Sequence, residues 1–277
     1  MFLAQYNQNK IIRYLILFFC LLLLSPISGN AADSDLFVSA DWAALQLKKK
    51  NYKFQIVDIR QAQDFNKIHI PGSINIPLHF IKSKRYLKQK TIIIADKGFF
   101  YRSIIEECEK LKKLNFDVKI LNGGLNTWLT KNLPVQGDIF SQEEFFLVDA
   151  RKVYQEQSIH PILFVDTSDK KVKSQDFKPV FKDAITFTQE SKQPFKEIEK
   201  FIKAKPNGSI LVFNNFGQGY NEIRDTMLSK GINNLFFLEG GLKAYNEYLH
   251  NLELAKAPKQ ERLKTTQKCR DCGEKDL

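Results

Sequence analysis

The sequence predicts an α/β protein of two tandem halves, each a small doubly wound parallel sheet flanked by helices. Three observations carry this. Short segments recur in one order at a shift of roughly 110 to 118 residues, the central ones are continuous apolar runs of strand length, and helical patterns lie between them. At 277 residues the chain has room for two domains of ordinary size. Hydrophobic residues at 43% and charged ones at 26% are the proportions of a packed globular chain, which excludes a disordered or wholly membrane-embedded one.

The repeat opens with Phe37-Val38-Ser39-Ala40-Asp41, paired with Leu147-Val148-Asp149-Ala150-Arg151; each is expected to lead into a helix. Ile56-Val57-Asp58-Ile59 then pairs with Phe164-Val165-Asp166-Thr167, short β-rich runs that both contain an aspartate. Thr91-Ile92-Ile93-Ile94-Ala95 pairs with Ser209-Ile210-Leu211-Val212-Phe213, runs without polar alternation that suit the middle of a parallel sheet covered on both faces. Last, Ile120-Leu121-Asn122-Gly123-Gly124-Leu125 pairs with Phe237-Leu238-Glu239-Gly240-Gly241-Leu242. Helices are expected over 102–114 and 220–230, the second closing at Gly231. The halves span 36–135 and 140–253. The segment 132–141, with Pro134 and Gly137, reads as a linker, and 254–277 as a polar tail.

Both ends differ from the body. Lys10 and Arg13 precede an apolar run from Tyr14 to Leu24, followed by Ser25-Pro26 and the small residues Ser28-Gly29-Asn30-Ala31-Ala32. That order marks residues 1–31 as a secretory signal peptide, cleaved after Ala31 or Ala32. The run is shorter than the roughly 20 residues a spanning helix needs, so no stable membrane insertion is expected after cleavage, and the protein is placed in the periplasm or outside the cell. Cleavage removes two cations and no acid from a net charge of +11, leaving +9, spread over lysine-rich surface such as Lys48–Lys50, 110–113 and 170–173. Such a surface implies at most a weak attraction to anionic membranes or acidic partners. Nucleic-acid binding is not expected, because no recognition motif is present.

Three cysteines remain after cleavage. Cys108 falls on the apolar side of its helical pattern with Ile104, Ile105 and Leu111 and reads as a buried structural thiol. Cys269 and Cys272, spaced C-x-x-C in the tail, admit a local disulfide, a redox or sulfur-carrying dithiol, or half of a metal site. Two ligands do not fill a tetrahedral site, and no cofactor is expected.

The run Val57-Asp58-Ile59-Arg60, then Phe65, then His69-Ile70-Pro71-Gly72-Ser73-Ile74-Asn75-Ile76-Pro77, together with Gly123-Gly124 and Trp128, resembles the rhodanese family. The second half is more degenerate, with Ser168 where the first has Arg60 and 179–188 in place of the His-Ile-Pro-Gly segment, but it keeps its apolar strand and Gly-Gly pair. The resemblance implies a sulfurtransferase of the thiosulfate type, in which a cysteine opens a six-residue loop after the central strand. Loop amides and the following helix N-terminus then stabilise the bound sulfur species. Here Asp96 and Asn214 stand at that position, and neither can carry sulfur. Catalysis at the family positions is therefore not expected. The neutral loop Asn214, Asn215, Phe216, Gly217, Gln218, Gly219 is the candidate for binding an anion without reacting, and Cys269 and Cys272 are the alternative nucleophiles. His69, Asp58 and Arg60 are expected to be structural. Lys97 and Arg102 are expected either to offset Asp96, most economically as an ion pair, or to recruit an acidic partner. Phe99-Phe100-Tyr101 either form an exposed contact surface or fold over the loop. The function expected is a pseudoenzyme acting as a binding or regulatory module for an unknown protein partner or small anion; the alternative is a sulfurtransferase, sulfur carrier or redox protein that uses the tail thiols.

Overall fold

In the computed structural model, residues 35–49, 53–138, 145–168, 180–187 and 193–256 are described. The segment expected to be a signal peptide, the lysine run 170–173 and the tail with Cys269 and Cys272 lie outside them. Residues 36–256 belong to one compact unit.

The first half runs β1 (Phe37–Val38), α1 (Ala40–Leu47), β2 (Phe54–Asp58), α2 (Ala62–Lys67), β3 (Ile68–His69), β4 (Ile74–Asn75), two short 3-10 helices, β5 (Thr91–Ala95), α3 (Arg102–Lys113), β6 (Val118–Leu121), α4 (Gly124–Thr130) and β7 (Gln136–Gly137). The second runs β8 (Leu147–Val148), α5 (Ala150–Glu156), β9 (Ile162–Asp166), β10 (Ile185–Thr186), α6 (Gln193–Ala204), β11 (Ser209–Phe213), α7 (Asn221–Ser229), β12 (Leu235–Leu238) and α8 (Gly241–Lys256). The two large sheets are parallel, with orders β1-β6-β5-β2-β4 and β8-β12-β11-β9-β10. Strand for strand the two orders are the same, so the repeated segments occupy equivalent places.

Side chains alternate across a strand, and here both faces are covered. Ile92 and Ile94 of β5 enter one core while Ile93 and Ala95 enter the other. In β11, Ile210 and Val212 face one core and Leu211 and Phe213 its opposite. This is why both central strands lack polar alternation. The helices after the first strands start alike: the Ser39 hydroxyl accepts from Trp42 N at 3.1 Å, and the Asp149 carboxylate from Lys152 N at 3.0 Å.

Two boundaries differ from the sequence reading. The linker contains β7, which pairs antiparallel with β3, so Gln136 lies opposite His69. Gly137, at φ +116, passes so close to β3 that a Cβ would stand 2.1 Å from the Lys67 carbonyl oxygen. The last helix runs to Lys256, since Tyr245 and Leu242 keep it docked and its final turn simply continues.

Each Gly-Gly pair forms the turn from which the loop after the central strand hangs. Leu125 N and Asn126 N donate to the Asp96 and Lys97 carbonyls, and Leu242 N and Lys243 N donate to those of Asn214 and Asn215. A Cβ on Gly124 (φ +51) would lie 2.5 Å from the Asp96 carbonyl oxygen, whereas one on Gly231 (φ +76) would meet nothing within 4 Å. Gly124→Ala is therefore expected to lower unfolding free energy by about 3 kcal/mol, and Gly231→Ala by about 1 kcal/mol, as read by urea titration.

Candidate functional site

The loop Asp96–Tyr101 leaves β5 at the carboxyl edge of the first sheet and delivers the chain into α3. Below it, the buried Asp58 carboxylate receives Arg60 in a bidentate pair, with Nη2 at 2.7 Å and Nε at 3.0 and 3.1 Å. The same guanidinium donates to the Ile68 carbonyl at 2.7 Å. His69 Nδ1 lies 2.8 Å from the Phe65 carbonyl, and its ring stacks on Phe65 at 4.0 Å. Asp58, Arg60 and His69 thus order the turn around Pro71-Gly72. In the second half Ser168 N donates to Asp166 as Arg60 N does to Asp58, but with no guanidinium to complete the pair.

Asp96 sits beside a cavity of about 330 Å³ lined also by Arg60, Gln61, Asp64, Lys97 and Lys152, with Ile59 and Phe145 as its apolar wall. Burial, then the Asp58 carboxylate, raise the Asp96 carboxyl to about 7; the Gly98 N–H, Arg60 and Lys152 act against that rise. Arg102 does not offset Asp96. It turns to the second half, its Nη2 donating to the Gln155 carbonyl at 3.2 Å. The reason is Glu156, whose carboxylate accepts from Tyr101 N and Arg102 N, each at 3.0 Å. The N-terminus of α3 is thereby capped by a side chain of the other half. Burial raises the Glu156 carboxyl, and the two amides and Arg102 oppose that rise.

The loop aromatics are folded inward. Phe99 and Tyr101 are buried, Phe99 against Phe236 of the second half at 5.1 Å between centroids. Tyr101 accepts from Gly123 N at 2.7 Å through its hydroxyl and lies 4.6 Å from the His160 ring. Phe145 makes the reverse crossing, from the second half into the core of the first. Asn126 Nδ2 donates to the Phe145 carbonyl at 3.1 Å, and Thr130 Oγ1 to that of Asn233 at 3.1 Å.

In the second loop, Asn214 turns its side chain into its own backbone. Its Oδ1 accepts from Phe216 N at 3.1 Å and Gly217 N at 2.6 Å, and its Nδ2 donates to the Gln218 carbonyl at 2.7 Å. Tyr220 closes the loop as Tyr101 closes the first, its hydroxyl donating to the Leu238 carbonyl and accepting from Asn214 N. Gly217, Gly219 and Tyr220 line a smaller cavity of about 180 Å³ with Arg224 and Phe146, while Asn215 is buried and Phe216 half exposed. Neither loop contains a thiol. Cys108 lies buried on the inner face of α3, where burial pushes its thiol up to about 12.

Residues 39–131 match the family model for the rhodanese-like domain. This part of the chain is similar to a rhodanese-like domain. Solved structures similar to the chain include the BH2092 protein of Bacillus halodurans, 23% identical over 56% of this chain and 100% of its own (TM-score 0.38). The rhodanese-like domain of the Alr3790 protein of Anabaena sp. is 23% identical over 39% of this chain and 83% of its own (TM-score 0.34). A thiosulfate sulfurtransferase of Pseudomonas aeruginosa is 16% identical over 76% of this chain, which spans 42% of that protein (TM-score 0.32). No curated protein matches the chain. Among the described residues, no cluster of three or more His, Cys, Asp or Glu side chains is placed to hold a metal ion, and no helix is long and apolar enough to cross a membrane.

Sequence reasoning missed Glu156. Its signal was present but faint: a glutamate in phase with Ala150 and Val153 on the buried stripe of α5. Lys152, one turn earlier, and Phe145 also join the cavity beside Asp96 from the second half.

Two outcomes are expected. Phe99→Ala removes a buried ring shared by the halves and should cost about 4 kcal/mol; with Phe236→Ala the loss should be less than additive in a double-mutant cycle. Asp96 ionises less readily folded than unfolded, so its contribution to stability is complete below about pH 4 and is lost as pH rises through about 7. Asp96→Asn should therefore gain stability over the parent at pH 8 and lose that advantage at pH 4. His160, held neutral by burial with its value near 4, acts in the opposite direction and cancels in this comparison.

Proposed function

We propose that the protein is an exported tandem rhodanese-like protein whose two loops are silent in sulfur transfer and which acts as a binding or regulatory module. One observation carries this reading: the loop amides are engaged by the protein's own oxygens. Asp96 takes the Gly98 N–H, Glu156 takes those of Tyr101 and Arg102, and Asn214 takes those of Phe216 and Gly217. A persulfide is the anion R–S–S⁻, formed when a cysteine thiolate bonds to a sulfane sulfur, and it needs both a cysteine and converging free donors. Asp96 supplies a carboxyl that cannot accept sulfane sulfur, and Asn214 supplies an amide.

The second half is read as a diverged copy of the rhodanese-like domain because its strands follow the same order and its loop hangs from the same Gly-Gly turn. Export is supported by the order of charge, apolar run and small residues at the N-terminus. A small anion has a place beside Arg60, Lys97 and Lys152, where protonation of Asp96 below about pH 7 removes an opposing charge.

The test is intact-mass analysis of the reduced protein after incubation with thiosulfate or polysulfide, followed by peptide mapping. No added sulfur on 96–102, 214–220 or Cys108 is expected. Persulfide on Cys269 or Cys272, with turnover to cyanide or a thiol acceptor, would replace this reading with that of a sulfur carrier.

A further inference from the structure

Between β4 and β5 the chain makes its two 3-10 helices, Leu78–Ser83 and Arg85–Gln89. Ile81 and Leu87 point inward and are buried, while Phe80 and Tyr86 remain 53% and 59% exposed. With Ile74, Ile76, Pro77 and Lys84 these two aromatics line a groove of about 460 Å³. The strand on its wall, β4, is an edge of the first sheet.

The charge here is one-sided. No acidic residue occurs from 65 to 95, whereas Lys82, Lys84, Arg85, Lys88 and Lys90 are all exposed. Among the described residues none of these five pairs with a carboxylate. Lys88 stands 5.0 Å from the centroid of the Phe116 ring. The fold does not impose this. In the second half the equivalent connection is α6, where Lys196, Lys200 and Lys203 are interspersed with Glu197 and Glu199.

We propose that this groove docks an acidic peptide segment of a partner protein, one that presents an aromatic or large aliphatic side chain between carboxylates. The inference deepens the reading of the protein as a binding module. The apolar side chain enters between Phe80, Tyr86 and the Ile74–Pro77 wall, and the carboxylates meet Lys82, Lys84 and Arg85 at the rim. An anionic bilayer matches the charge but not the shape, because insertion into lipid needs protruding apolar side chains and the apolar atoms here wall a concavity.

Fluorescence anisotropy on the full chain tests this with a fluorescein-labelled heptapeptide of one phenylalanine between two runs of three glutamates. Two control peptides carry alanine for the phenylalanine or glutamine for the glutamates. Saturable binding of the first, at least tenfold weaker for either control and weakened by added salt, is expected. Phe80→Ala/Tyr86→Ala and Lys84→Glu/Arg85→Glu change only exposed side chains and should each reduce affinity at least tenfold, with circular dichroism unchanged. No binding at millimolar protein, or binding indifferent to both double variants, overturns the proposal. So does co-sedimentation with phosphatidylcholine vesicles containing one-third phosphatidylglycerol that the variants abolish while the peptide fails to bind. Persulfide on Cys269 or Cys272 with turnover in the mass measurement would instead overturn the wider reading and leave the groove to be judged by the peptide alone.

Discussion

The first turn of a helix exposes amide donors that need an acceptor, and a carboxylate there is favoured by hydrogen bonds and by the helix dipole together. In this protein the acceptor for α3 is Glu156, contributed by the other half of the chain. Much of the seam follows from that placement. Glu156 can reach Tyr101 N and Arg102 N only if α5 lies against the loop, and this brings Lys152 to the cavity beside Asp96 and His160 to the Tyr101 ring. Phe99 and Phe145 then cross in opposite directions, each finishing the core of the half to which it does not belong.

A loop held in this way differs physically from one that awaits a substrate. Free convergent amides are a store of unsatisfied polarity, maintained for a ligand that will fill it. Here both loops are closed by internal oxygens, from Asp96 and Glu156 in the first and Asn214 in the second. The framework beneath them is held by its own contacts: Asp58 and Arg60 are paired, His69 orders its turn, and the Gly-Gly pairs suspend the loops.

Much of the fold was legible in the residues. Continuous apolar runs at β5 and β11 announce strands covered on both faces, and Gly231 ends α7 because a left-handed residue closes a helix. The linker was legible only in part, since nothing in Gln136-Gly137 itself announces a partner; β7 exists because β3 offers it an edge. At the site, the structural parts of Asp58, Arg60 and His69 could be named. The direction of Arg102 and the burial of Phe99 and Tyr101 could not, because each depends on a surface that begins some 50 residues further along the chain.

The sequence by itself determined the two parallel sheets, the loops that follow their central strands and the absence of a thiol in both. These depend on local periodicity, on glycines where the backbone must turn tightly, and on side-chain identity, all of which are properties of short segments. Only the tertiary structure decided what fills the loops. Whether an amide cluster is empty or occupied depends on which distant carboxylate or ring is brought within about 3 Å of it, and hydrogen bonds of that length leave no periodic trace in the sequence.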